Sequence, residues 1–371
     1  MKASQDAQRK DFPTGIPECG ADALRFGLLA YTVQGRDVNL DILRVVGYRQ
    51  FCNKMWNAVR FALTYVSDFT PTPSTAADIT SMSGVSKRDL FILDRLNSTI
   101  EESVTNFNAY LFGNITNALH SFFLYDVCDL YLELVKPVFQ DTSAENAAKR
   151  TAAQATLYTV LEQYLRLCHP IMPFVTEELW QRLPNRSGLA TTNSIMVAPY
   201  PKTVDAWKNP GVVADYELFK PVVNSARSMR ANYKVANHVK TNFYFKADSA
   251  EVIESMSSLA DDFCTLARGN FVNPVDANTP RGCSVKVVND QLSLSLDLRG
   301  AIDLDVEIAR LEKDIERITP LFDNLKRKTE SAGYDKVPES VRLLNTEKMA
   351  GYSVELDNVQ TAIAEFKSIK D

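Results

Sequence analysis

From Ala21 to about Leu183 apolar residues recur at three- and four-residue steps and strand-like alternation is scarce, so the pattern predicts a helix bundle. Leu24, Leu28 and Tyr31 mark a first helix. Gln34-Gly35-Arg36-Asp37 breaks it before Ile42, Val45, Val46 and Phe51 begin a second, which runs on through Met55, Trp56, Val59, Phe61 and Leu63. Pro71-Thr72-Pro73 opens a loop, and Ser86 with Asp89 three residues later reads as a capping box for a third helix carrying Leu90, Leu93, Leu96, Ile100, Val104 and Phe107. A fourth pattern runs from Ile115 through Leu119, Phe122, Val127 and Leu130 to Leu134, with Pro137 ending it. The last helices of the bundle cover about 144–167 and 173–183, and the prolines of His169-Pro170-Ile171-Met172-Pro173 fix the corner between them.

After Pro184 the texture turns to Ser, Asn, Pro and Gly, which marks a boundary. Alternation at Thr241–Lys246, Ser284–Val288 and Leu292–Leu298, around a helical Ala250–Arg268, predicts a small α/β unit. Leu304, Ile308, Leu311, Ile315, Ile318, Phe322 and Leu325 then repeat with heptad spacing, and after a break with Gly333 and Pro338 the pattern resumes at Met349, Tyr352, Leu356, Val359, Ile363 and Phe366. Two apolar stripes joined by a turn predict an antiparallel helical hairpin.

Composition narrows the function classes. At 371 residues and 45% hydrophobic content the chain can build two or three cores. Met1–Pro13 lacks the apolar run of a signal peptide and no stretch is long enough to span a bilayer, so the expectation is a cytoplasmic protein with no membrane association. Six scattered cysteines without a C-x-x-C pair suit buried thiols rather than zinc. A net charge of −5 means that any phosphate contact is local and not a matter of global basicity.

The chemistry of an independent enzyme is missing. Phosphate-cradling glycine loops are absent, and His120, His169 and His238 are not spaced as metal ligands. Asp126 and Asp129 sit one turn apart and read as surface patterning. The expectation is therefore a chain with no catalytic residue, no metal and no cofactor of its own.

Three blocks in order, Gly20-Ala21-Asp22-Ala23-Leu24-Arg25-Phe26, Gly35-Arg36-Asp37-Val38-Asn39 and Phe51-Cys52-Asn53-Lys54-Met55-Trp56-Asn57-Ala58, resemble valyl-tRNA synthetases just after their second catalytic signature. His169-Pro170-Ile171-Met172-Pro173-Phe174-Val175-Thr176-Glu177-Glu178-Leu179-Trp180 is similar to the segment where valyl, isoleucyl and leucyl enzymes enter a late helix of the anticodon-binding bundle. The terminal hairpin looks like the coiled-coil arm of the valyl branch. The His-x-Gly-His and Lys-Met-Ser-Lys-Ser motifs of class I synthetases are absent, so the ATP and Mg of the parent enzyme are not expected here and no catalytic residue is carried over.

The resemblance implies a mainly α chain: 1–20 a linker remnant after the catalytic core, 21–200 a class I synthetase anticodon-binding helix bundle, 201–300 a small α/β junction unit, and 301–371 an antiparallel coiled-coil hairpin. It further implies a tRNA-binding portion of a valine–tRNA ligase, partnered by tRNA(Val) and by the catalytic core of the same polypeptide, with no DNA. The alternative is a scaffold whose coiled coil docks another protein or pairs with itself.

Single-stranded RNA is recognised by stacking on aromatic or Arg faces and by polar groups at base edges. Lys54, Asn57 and Arg60 share a helix face at three-residue spacing, with Trp56 and Phe61 beside them as aromatics that are more often core. Asp129 and Tyr131 lie on a helix whose family counterpart faces the anticodon, although core packing explains Tyr131 equally well. Arg227, Arg230, Lys326, Arg327, Lys328 and Lys336 are candidates for the tRNA backbone, against the plainer reading of a solvated face with surface ion pairs.

Overall fold

The computed structural model describes residues 12–32, 40–72, 75–184, 192–247, 249–272, 283–289, 292–299, 301, 304–331, 334 and 338–370. The molecule is mainly helical, at 71%, with a small mixed four-stranded sheet. It divides into two units, Met1–Tyr216 and Glu217–Asp371, and the division falls inside the helix Pro210–Asn232. The break at Gln34–Asp37 and the turn around Gly333 lie outside the described residues. Among those described, no helix is long and apolar enough to cross a membrane.

The first unit is a bundle of α1 (Ala21–Tyr31), α2 (Ile42–Val66), α3 (Lys87–Asn108), α4 (Phe112–Ser121), α5 (Leu132–Gln140), α6 (Ala147–Cys168) and α7 (Pro173–Gln181). Its centre is α6, where Ala152 to Tyr158 and Val160 to Leu165 are largely buried, the polar Thr156, Thr159, Glu162 and Gln163 among them, as in a helix enclosed by others. Gly84 lets the chain pass against its first turn, because a Cβ there would stand 2.5 Å from the Ala148 backbone, and the φ of +89° itself favours glycine. The capping box forms as expected: the Asp89 carboxylate accepts from the Ser86 N–H at 2.9 Å.

Expectations fail in two places, each for a physical reason. Leu24 and Leu28, expected inward on α1, are both exposed, and the buried face is Ala23, Phe26, Gly27 and Ala30. Small residues bring α1 close to α2, with the Gly27 position facing the Tyr48 ring and Val45. The single long helix expected from Ile115 to Leu134 is helical throughout, but Phe122–Tyr131 is π-helix between α4 and α5. Pro137 does not end it either: α5 continues to Gln140, and the Asp141 N–H reaches the Pro137 carbonyl at 3.0 Å.

α1 is tied to the far end of the bundle by its charged residues. Asp22 is buried and accepts the N–H groups of Phe174 at 3.2 Å and Val175 at 2.7 Å, satisfying first-turn donors of α7 that have no partner within their own helix. Arg25 donates to the carbonyls of Ile171 and Pro170, both at 2.9 Å. The Gly20–Phe26 and His169–Trp180 blocks thus hold each other, with the His169 Nδ1 and Thr176 hydroxyl at 2.8 Å completing the corner.

In the second unit β1 (Asn242–Ala247), β2 (Asn270–Val272), β3 (Ser284–Asn289) and β4 (Leu292–Leu296) form a sheet in the order β2-β1-β4-β3, with β1 and β2 parallel. Short β2 carries no readable alternation and escapes prediction. Phe243, Phe245, Leu294 and Leu296 are buried, and Phe263, on the helix Ala260–Ala267, meets both phenylalanines edge-on at 5.3 and 5.0 Å. Two long helices follow, Leu304–Thr329 and Glu339–Lys370. Lys367 meets Glu312 near one end and Thr329 meets Met349 near the other, so they run antiparallel.

Candidate nucleic-acid interface

α2 starts where the Asp41 carboxylate accepts the Leu43 N–H at 2.8 Å, a side-chain cap that sets the helix phase. In that phase Met55, Ala58, Val59 and Ala62 are buried, which leaves Asn53, Lys54, Asn57 and Arg60 exposed along the opposite face. The π segment and α5 lie beside this face. Lys54 meets Asp129 at 3.1 Å, and seven residues further along both elements Lys136 sits over the Phe61 ring, 5.4 Å from its centroid. Equal steps on both sides mean that the two elements run parallel here.

Lys54 and Asp129, nominated separately from sequence, are therefore brought together, and Asn57 and Arg60 extend the same exposed surface. Trp56 is half-buried with Arg182 stacked 5.1 Å from its ring centroid, and Phe61 is half-buried between Lys136 and the edge of Tyr65. Each ring thus has a cation over it. Tyr131 is corrected more sharply: it is buried and its hydroxyl donates to Asp89 at 2.7 Å, so it belongs to the core that supports the Ser86 cap. Burial and the neighbouring Asp89 charge hold that phenol well above its ordinary pKa.

A π-helix closes i→i+5 hydrogen bonds and is rare beyond a single turn. Here it sorts one nearly continuous apolar run, Phe122–Leu134, into separate directions. Asp126, expected at the surface beside Asp129, is instead buried and accepts from Arg95 Nε at 3.0 Å. Cys128 is half-buried, and burial pushes its thiol up to about 12, against the pull of Lys54. Tyr125 is the residue that the sequence pattern does not single out: its ring is 62% exposed in the midst of that run. No periodicity distinguishes it, because a tyrosine flanked by Phe122, Phe123, Leu124 and Val127 reads as core.

The basic candidates in the second unit separate in the same way. Arg230 is buried and donates to the Ala236 and Val239 carbonyls at 2.8 and 2.9 Å and to Thr241 at 3.2 Å, so it knits the chain into β1 and is not available to phosphate. Its burial, with Arg268 nearby, lowers its pKa. Arg227 is exposed but anchored to the Leu266 carbonyl at 3.0 Å. Lys326, Arg327 and Lys328 are exposed in the last turn of their helix, where cations also complement the helix dipole. Lys336 lies outside the described residues. Among the described residues no cluster of three or more His, Cys, Asp or Glu could hold a metal ion.

Residues 89–244, which include most of α3, the π segment and the Asp22-capped α7, match the anticodon-binding domain of tRNA ligases. Over its whole length the chain is 38% identical to the valine–tRNA ligase of Takifugu rubripes, of which it covers 30%, and 40% identical to that of Rattus norvegicus, of which it covers 29%. A mitochondrial valine–tRNA ligase of Arabidopsis thaliana is 36% identical across 95% of the chain, which covers 32% of that protein. Among solved structures a leucyl-tRNA synthetase ternary complex from Agrobacterium radiobacter overlaps 56% of this chain and 21% of that one at 16% identity, with a TM-score of 0.34, a likeness too slight to build on. The chain spans roughly 30% of the length of the curated relatives it matches. From end to end it is thus similar to the C-terminal part of valine–tRNA ligases, and its residues 89–244 match the anticodon-binding domain of tRNA ligases.

Proposed function

We propose that this chain is the tRNA-binding part of a valine–tRNA ligase, receiving the anticodon of tRNA(Val) on its helix bundle and positioning the RNA for ATP-dependent aminoacylation by a catalytic core carried elsewhere. The observation that carries this reading is the exposed polar face of α2 joined by the Lys54–Asp129 pair to a π-helical segment inside the matched anticodon-binding domain. Amide, guanidinium, ammonium and carboxylate groups stand there within one surface, which is the inventory needed to read the edges of unstacked bases. On this reading ATP and Mg belong to the catalytic core, and the antiparallel helices Leu304–Thr329 and Glu339–Lys370 form a coiled-coil arm whose Lys326, Arg327 and Lys328 touch the tRNA backbone. Such a protein works in the cytoplasm or in an organelle that translates.

A second reading, docking of another protein chain on the arm, draws on the exposed Val341, Leu343 and Leu344 at the start of the last helix. A gel-shift titration with valine tRNA and a non-cognate tRNA, paired with solution mass against concentration, tests both. The tRNA reading expects preferential retardation of valine tRNA by a monomer. Absence of any tRNA preference, with mass rising with concentration, overturns it in favour of the second.

A further inference from the structure

Tyr125 combines features that ordinary packing does not explain. Its ring is 62% exposed although it sits in the most apolar run of the bundle, and neither ring nor hydroxyl has an aromatic or hydrogen-bond partner among the described residues. The segment that presents it is a ten-residue π-helix, an arrangement found mostly as single turns and often at functional sites. With more than four residues per π turn, Tyr125 and Asp129 stack nearly one above the other, so the ring stands one turn from the Lys54–Asp129 pair. Its neighbours in sequence anchor it from below: Phe123 stacks on Tyr164 at 4.7 Å, and Asp126 is locked to Arg95. The segment beneath is anchored and the ring is exposed.

We propose that Tyr125 is a stacking platform for one unpaired base of the RNA, with Asp129 and Lys54 beside it as edge-reading groups that release each other when the base arrives. The proposal rests on the tRNA-binding reading given above. An aromatic face accepts any base, while a carboxylate next to it accepts from an exocyclic amino group and an ammonium donates to a base carbonyl. The exposed ion pair opens at little cost, since pairs of this kind contribute little to stability.

The test uses the full chain and a synthetic anticodon stem-loop of valine tRNA, with Tyr125→Ala, Tyr125→Leu and Tyr125→Phe. Stacking on a base is lost in the first two, so their affinity falls about tenfold or more. Tyr125→Phe keeps the ring and stays near wild type. Stem-loops with an abasic site at each loop position in turn then identify the partner: at one position Tyr125→Ala costs nothing further. If the unaltered chain binds the stem-loop and Tyr125→Ala binds it equally well, the platform is overturned while the tRNA-binding reading stands. If the unaltered chain does not bind, both fall. A loss in Tyr125→Phe equal to that in Tyr125→Ala assigns the effect to the hydroxyl, and a fall in melting temperature that tracks the affinity assigns it to folding; either overturns stacking.

Discussion

Side chains on the α2 face are held loosely, and that has energetic consequences. Lys54 and Asp129 are 43% and 55% exposed, so their ion pair is worth well under about 1 kcal/mol and exchanges readily for a ligand. Asn57 and Arg60 are exposed on the same face, and Asn57→Ala with Arg60→Ala should weaken stem-loop binding about tenfold while shifting the melting temperature by no more than about a degree or two. Unfolding of the double variant in calorimetry would make these positions structural instead. Beneath the same face, burial pushes the thiols of Cys52 to about 11 and of Cys128 and Cys168 to about 12, from an ordinary 9.0. The native state keeps these protons while the unfolded chain loses them above about pH 9, so their contribution to stability is full below that pH and is lost as the pH climbs toward about 12. Urea midpoints measured from about pH 8 to 11 should fall, and Cys128→Ala should flatten that fall. Residue by residue, the exposed polar candidates are legible because helical spacing alone separates them from the core. Tyr131, Arg230, Asp126 and Tyr125 are not, because each owes its place to a partner outside its own helix or to a helix phase that residue types do not reveal.

Elements behave differently from residues. Helices with long amphipathic stripes are readable end to end, since a 3.6-residue period repeated over about five turns leaves little ambiguity. The π segment is invisible, because widening a helix by a fraction of a residue per turn alters bonding without altering which residue types appear. β2 is invisible for the opposite reason: three residues contain no period, and its place depends on Gly269, where a Cβ would meet the Phe243 ring at 2.6 Å. The charge run at the end of Leu304–Thr329 is legible as charge but not as function. Replacing Lys326, Arg327 and Lys328 by Ala should weaken tRNA binding without altering sequence preference, because groups that bind the RNA backbone position it and do not read it. Every phosphate no longer neutralised lowers the log–log salt slope by roughly 0.7–0.9. A binding isotherm series from low to moderate salt measures this; an unchanged slope would leave the run as dipole complement and solvated surface.

At the scale of the whole molecule the chain lacks the motifs that activate an amino acid, and it should show no valine-dependent ATP–pyrophosphate exchange. Exchange above a buffer blank would place a nucleotide site in this sequence. The bundle is also larger than the matched span suggests. Phe26, Phe51, Met55, Val59 and Ala62 belong to the same hydrophobic cluster as Leu96, Phe123 and Tyr164, so a fragment confined to 89–244 is deprived of part of its core. Such a fragment should have helical far-ultraviolet dichroism but a broad, weakly cooperative melt beside the sharp transition of the full chain.

The clasp of Asp22 and Arg25 on the 170–175 corner sets a schedule as well as a structure. Asp22 and Phe174 are 152 residues apart, and closing so long a loop costs only about 2 kcal/mol more than closing one a tenth as long, because the entropy grows with the logarithm of length. Distance is thus a matter of timing rather than of stability. During synthesis Asp22 and Arg25 emerge long before the 170–175 corner exists, whereas Phe26 of the same helix meets Tyr48 and Phe51 as soon as α2 is made. The clasp between α1 and the 170–175 corner is therefore a late step in the folding of this unit, and a lesion at Asp22 or Arg25 is felt as a failure of that step.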